Sequence, residues 1–304
     1  MPQISWRFFM IHRIHNFNRL TQFELIKAIQ QSFAHATRLD LSYMFLCHRE
    51  SASLAPALAA IPSNITYLDL SHNYLGNKTG EDLIITIKAI ASSINTLNLG
   101  NNVLGDMKAT DLAKVISSIT PHVKTLYLSC NRFFKLEPAD LAMVLSAIPK
   151  NVTTLDLSRN VFDRKTAKDL VLVFERLPNT ISDLNLSDNG LDNKTIAELT
   201  QIFNAIPATV KTLDLSNNGF ENKTDAELTE LFKIIPKNLT TIHWDNHKLK
   251  TYYENSLKIK TSLPLYLGVA SLVGIASVLV GAGLFQVIRG NNYSEPSNPS
   301  HTPF

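Results

Sequence analysis

Cysteine is nearly absent from this chain: Cys47 and Cys130 are the only two in 304 residues. At 83 positions apart they offer neither a disulfide framework nor a metal-ligand spacing, so a reducing compartment is the expected home. Net charge is scarce too. A formal charge of +3 with the two signs interspersed does not make nucleic acid the expected partner. The first thirteen residues have charges interrupting their apolar positions and no small-residue cleavage site, so no secretory signal is expected. A catalytic constellation is also missing. His12 with His15 and His243 with His247 have loose metal-like spacing, but no Cys or carboxylate cluster accompanies them. No enzymatic activity, metal or cofactor is expected. What the chain does have is 45% apolar and 18% charged residues, compatible with a folded core.

That apolar content is arranged in a repeat. Leu39, Leu68, Leu97, Leu126, Leu155, Leu184, Leu213 and Ile242 follow one another at intervals of 29 with no insertion. Two residues on stand Leu41, Leu70, Leu99, Leu128, Leu157, Leu186, Leu215 and Trp244, an alternation that points both columns to one face of a short strand. Five residues after the first Leu come Asn73, Asn102, Asn131, Asn160, Asn189 and Asn218, a type able to hydrogen-bond the backbone of the turn leaving the strand. The column breaks to Met44 and His247 at the two ends, as terminal repeats do.

The second half of each unit changes period. Leu83, Ile87 and Ile90, then Leu141, Leu145 and Ile148, then Leu199, Phe203 and Ile206 have the i, i+4, i+7 spacing of one helix face. Thr79, Thr166, Thr195 and Thr224, each followed three residues later by Asp82, Asp169, Glu198 and Glu227, read as capping boxes at the helix starts. Pro62, Pro149, Pro178, Pro207 and Pro236 stop the helices at one fixed position.

Leu68-Asp-Leu-Ser-His-Asn73-Tyr-Leu75 and Leu213-Asp-Leu-Ser-Asn-Asn218-Gly-Phe220 resemble leucine-rich repeats, and the unit length resembles the ribonuclease-inhibitor-like subclass. The resemblance covers residues 36–257 as eight repeats and implies an α/β solenoid: a horseshoe with a concave parallel sheet and outer helices. Residues 1–35 are expected to supply a capping helix over 20–33, with Phe23, Leu25, Ile26, Ile29 and Phe33 on its apolar face.

From Leu263 to Ile288 no residue carries a charge, a run long enough to cross the hydrocarbon layer of a bilayer as one helix within a segment 258–288. Lys248, Lys250, Lys258 and Lys260 precede it, against Arg289 alone on the far side, so the positive-inside rule places the repeats in the cytosol and 289–304 beyond the bilayer. The arrangement resembles tail-anchored membrane proteins. Ala270 with Gly274 and Ser277 with Gly281 are small residues four apart that could support helix pairing.

The recurrent acids Asp82, Asp111, Asp140, Asp169, Glu198 and Glu227 occupy first-turn positions favoured by the helix dipole, which makes them structural and not catalytic. Six of seven Asn-x-Ser/Thr sequons fall in two repeat columns, Asn77, Asn193 and Asn222, and Asn64, Asn151 and Asn238. They therefore read as products of duplication and are expected unmodified. Binding is left to the concave face. One row there is Asp40, Asp69, Asn98, Tyr127, Asp156, Asn185, Asp214 and His243; its neighbour holds Arg38, Tyr67, Thr96, Thr125, Thr154, Asp183, Thr212 and Thr241. These rows either bind a protein partner or form hydrogen-bonded ladders between strands, with Tyr67 and Tyr127 the favoured anchors. Tidy repeats without a secretory signal resemble effectors that intracellular bacterial pathogens deliver into host cells, whose membrane the tail would enter. Two other functions stay open. One is regulation of an enzyme such as a small GTPase, for which Arg159 is the candidate finger; the other is cell-surface recognition, which needs the opposite topology.

Overall fold

A computed structural model describes residues 11–13, 20–31 and 36–244. The chain divides into two units at Tyr253/Glu254, and the second unit, with the uncharged run 263–288, lies outside the described residues. Among the described residues no helix is long and apolar enough to cross a membrane.

Among the described residues nine three-residue strands form one parallel sheet in sequence order: β1 Ile11–Arg13, β2 Arg38–Asp40, β3 Tyr67–Asp69, β4 Thr96–Asn98, β5 Thr125–Tyr127, β6 Thr154–Asp156, β7 Asp183–Asn185, β8 Thr212–Asp214 and β9 Thr241–His243. From β2 onward the pairing advances by 29 residues at each step, Leu opposite Leu, and ends with Leu213 opposite Ile242. β1 lies ahead of the expected capping helix, where the sequence assigned no element. It pairs with β2 at a 27-residue offset, His12 opposite Leu39. Neither the 29-residue interval nor a leucine marks it.

Eight helices run between the strands: α1 Gln22–Gln31, α2 Ser51–Ala59, α3 Gly80–Lys88, α4 Ala109–Ser117, α5 Pro138–Ser146, α6 Ala167–Phe174, α7 Ile196–Ala205 and α8 Asp225–Ile234. Full capping boxes open α6, α7 and α8, while at α3 the Thr79 hydroxyl accepts from the Asp82 amide without the reciprocal bond to the backbone. Thr21 and Glu24 make the same exchange at α1, with Thr21 N donating to Glu24 Oε2 at 2.8 Å. In α1, Leu25 and Ile29 are fully buried as expected, but Phe23 is 75% exposed and does not belong to the apolar face.

Both strand leucine columns are buried through the internal repeats, as are the three helix triads. A further core column, Leu46, Leu75, Leu104, Phe133, Phe162, Leu191 and Phe220, begins the short 3-10 turn that follows each strand from β2 to β8. Burying each such side chain is worth roughly 1.5–3 kcal/mol, and stability accumulates through interfaces between adjacent repeats. At the C-terminal end Trp244 closes the stack edge-to-face on Phe220 and Phe232, with ring centroids 6.0 and 5.7 Å apart.

The asparagine column is the polar core of the fold. Asn160 is typical: its Nδ2 donates to the carbonyls of Leu128, Leu157 and Ser158, and its Oδ1 accepts from the amides of Asn131 and Phe133 in the preceding repeat. To turn around this amide, the chain puts the residues on either side of it into the left-handed region. His72, Asn101, Cys130, Arg159, Asp188 and Asn217 lie before it, and Tyr74, Val103, Arg132, Val161, Gly190 and Gly219 after it, all at positive φ. A left-handed non-glycine residue costs on the order of 1–2 kcal/mol, more for a β-branched one. Inter-repeat bonds such as Arg159 N to Ser187 O at 3.1 Å, together with the asparagine ladder, hold these positions in place.

Most of the sequons in the repeats also carry structural contacts. Asn64, Asn151 and Asn238 each donate Nδ2 to a carbonyl of the preceding repeat, those of Ala36, Val123 and Val210. In the Asn-Lys-Thr triplets, Asn193 donates to Asp163 O, Thr195 and Thr224 cap helices, and Lys194 and Lys223 lie buried with Nζ on backbone carbonyls. Lys165 does the same on Leu136 O at 2.6 Å, and burial holds its ammonium below the usual lysine value against the pull of Asp169 and Glu137.

Candidate functional site

Strands β2–β5, β7 and β8 bury their central leucine and leave their first and third residues half-exposed on the open face of the sheet, β6 differing in that its third residue is buried, and this brings the two expected rows together. The third-residue row has a structural task. Oδ1 of Asp40, Asp69, Asn98, Asp156, Asn185 and Asp214 accepts from the backbone N–H two residues on, at 2.8–2.9 Å, closing an Asx turn at the exits of β2, β3, β4, β6, β7 and β8. The Asp/Asn preference of this row is thereby accounted for, and only the second side-chain atom remains for other contacts. Asp156 is the deepest at 9% exposure. Burial pushes its carboxyl above the usual range and the charge of Asp214 adds to this, against hydrogen bonds from Ser158 and Ser129.

Tyr127 breaks the row. A phenol cannot make the Asx turn, and the ring instead leans toward Tyr67 two strands away, centroids 6.5 Å apart and tilted by 53°. The Arg38 guanidinium lies 3.8 Å over the Tyr67 ring, a cation–π contact. Asn98, between the two tyrosines, hydrogen-bonds the Tyr67 side chain and donates Nδ2 to Asp69 Oδ2 at 3.1 Å. Burial, then the charge of Asp69, raises the Tyr67 phenol above its ordinary value, while Arg38 opposes them. Arg38 and Tyr67, with Leu39, Asp40 and Asp69, line a small recess on strands β2 and β3.

The other candidates lie apart from it. Asp183 accepts from the Ser182 hydroxyl at 2.6 Å on β7, Asp214 stands on β8, and His243 is exposed on β9. Arg159 is off the sheet, in the left-handed position before Asn160, with Nε 2.8 Å from Asp188 Oδ2 in the next repeat. Among the described residues no group of three His, Cys, Asp or Glu side chains is placed to hold a metal ion.

A second aromatic group was missed from sequence. Tyr43 and His72 stack at 4.0 Å with the hydroxyl 3.1 Å from Nε2, and Phe45 stacks with Tyr74 at 6.0 Å. Tyr43, Phe45 and Tyr74 are 56%, 51% and 46% exposed, because left-handed backbone turns these side chains outward beside the end of the same strands. Aromatic pairs at 29-residue spacing were visible in the sequence. Their exposure was not, since it depends on the sign of φ.

A Leucine Rich repeat family model matches residues 62–83. The leucine-rich-repeat-containing protein LegL7 from Legionella pneumophila is 29% identical, with a TM-score of 0.72 over 77% of this chain and 72% of that one. The tropomodulin C-terminal domain of Caenorhabditis elegans (11% identity, 53% and 99% coverage, TM-score 0.34) and the yeast Rad7–Elc1 complex (14%, 73% and 59%, 0.42) are more distant. No curated protein matches. The matched repeat lies within a solenoid whose register continues unbroken through its neighbours, and the chain has a leucine-rich-repeat fold similar to that of LegL7.

Proposed function

We propose that this chain is a non-enzymatic scaffold that holds a protein partner on the first half of its concave face, tethered to a membrane by residues 263–288 with the repeats in the cytosol. Leucine-rich-repeat solenoids are interaction scaffolds, and extended concave faces are what such folds offer. The observation that carries the reading to this half of the face is Tyr127: it stands where six other repeats keep an Asp or Asn for the turn, and it meets Tyr67. Aromatic and arginine side chains dominate interface energies, and Arg38, Tyr67 and Tyr127 gather with Asp40 and Asp69 around them. The partner surface that complements them is apolar at its centre and basic at its rim. Similarity to a bacterial leucine-rich-repeat protein supports action as an effector inside a host cell.

Replacing Tyr67 and Tyr127 by Ala is expected to weaken partner binding at least about 30-fold, the effect of losing one hot spot. Partner capture unchanged by that pair, and by substitution of both exposed rows, sinks the reading. Protease protection of tags at the two ends in intact membranes tests the tether and its orientation. A lumenal repeat domain overturns both the partner and the compartment.

A further inference from the structure

The charges of the solenoid are sorted between its two edges. The connections leading from each helix to the next strand, residues 60–66, 89–95, 118–124, 147–153, 175–182, 206–211 and 235–240, carry Lys124, Lys150, Arg176, Lys211 and Lys237 against one acid, Glu175. All five cations are exposed, and among the described residues none makes an ion pair. The opposite edge differs. Its loops hold both signs in ion pairs, Asp106 with Arg132 and Lys135 and Arg159 with Asp188, and its helix first turns are acidic.

The fold does not require the basic edge. The column of Lys124 and Lys211 is filled elsewhere by Thr66, Asn95, Thr153, Ser182 and Thr240, and that of Lys150 and Lys237 by Ser63, Ser92, Pro121, Asn179 and Ala208. A helix C-terminus favours a nearby cation, but α2 and the connection after it are built without one. In a solenoid of constant register, equivalent positions of successive repeats fall along one edge. Lys124 and Lys211, three repeats apart, are thus separated by roughly 14 Å at about 4.8 Å per strand. A row of unpaired cations along a shallow edge matches an extended, flat, anionic surface better than a pocket-sized ligand.

We propose that this edge rests on an anionic phospholipid surface. The choice of lipid over another polyanion rests on the membrane-tethering reading above. Each cation near such a surface contributes roughly a factor of five to binding, so removing three lowers it about 100-fold, and salt screens the effect.

The test mixes the full chain with vesicles of phosphatidylcholine alone or with phosphatidylserine added, followed by sedimentation and labelling with a water-soluble amine reagent. On the anionic vesicles, labelling of Lys124, Lys150, Lys211 and Lys237 is expected to fall at least about five-fold and to recover in high salt. Lys108 and Lys168, on the other edge, stay reactive. Lys124→Glu/Lys150→Glu/Lys211→Glu, its fold checked by circular dichroism, removes both the protection and the preference for anionic vesicles. Equal labelling on the two vesicle types overturns the proposal. So does a salt-sensitive, triple-variant-sensitive binding to duplex nucleic acid without vesicle preference. Sedimentation with neutral vesicles reports the tether separately: a chain that binds anionic vesicles alone keeps the edge and loses the tether, and one held by both with equal labelling on the two keeps the tether and loses the edge.

Discussion

Replacing Asn160 by Ala tests the account of the polar core at its centre. The side chain is fully buried, and its removal takes the acceptor from the amides of Asn131 and Phe133 and the donor from the Leu128 carbonyl. Each buried group left unmade costs about 1–3 kcal/mol, and water entering the space returns part of that, so a loss of roughly 3–5 kcal/mol is expected. Asn179→Ala, at an exposed position, is the control and should change stability by less than about 0.5 kcal/mol. Asn160→Asp sharpens the test. It keeps an acceptor for the two amides but turns a carboxylate oxygen toward the carbonyls of Leu128, Leu157 and Ser158, so at neutral pH it should cost at least as much as Ala. That environment raises the folded pKa of the new carboxyl, so stability should recover as pH falls and it protonates. Urea unfolding followed by far-ultraviolet circular dichroism gives the magnitudes, and hydrogen exchange at the Asn131 and Phe133 amides gives the location. An Asn160→Ala variant within about 1 kcal/mol of the Asn179→Ala control refutes the ladder as the element that holds the turns.

Asp156→Asn should keep the Asx turn, as Asn98 and Asn185 do in the same row, and relieve a carboxylate whose ionisation burial opposes; a gain of up to about 1 kcal/mol near pH 7, vanishing in acid, is read from urea midpoints. Glu198 and Glu227 behave with the opposite sign. The N–H groups of Thr195 and Thr224 hold their carboxyls below 4.5, so their contribution is present above that value and is lost as pH falls through the lowered one. Glu198→Ala/Glu227→Ala should therefore lower Tm at pH 7 and leave it unchanged in strong acid, and a difference that persists there contradicts the capping role.

Much of this protein was determined by its sequence. Leu39 through Ile242 specify the strand register, the helix triads specify the outer layer, and Thr166, Thr195 and Thr224 specify where helices begin, because each rests on a period or cap that neighbouring residues satisfy among themselves. The concave rows were legible for the same reason. What only the tertiary structure decided is how polar groups are shared between repeats. Arg159 pairs with Asp188 of the next repeat, and Lys194 and Lys223 lie buried with their ammonium groups on carbonyls of the preceding one. Phe23 turned outward, β1 joined the sheet at a 27-residue step, and left-handed backbone exposed Tyr43 and Tyr74. The ion pair and the buried lysines depend on a partner about 29 residues away, and the exposed tyrosines on the sign of one dihedral. A one-dimensional period fixes which residues recur, and only stacking the repeats fixes which of their polar groups are already satisfied.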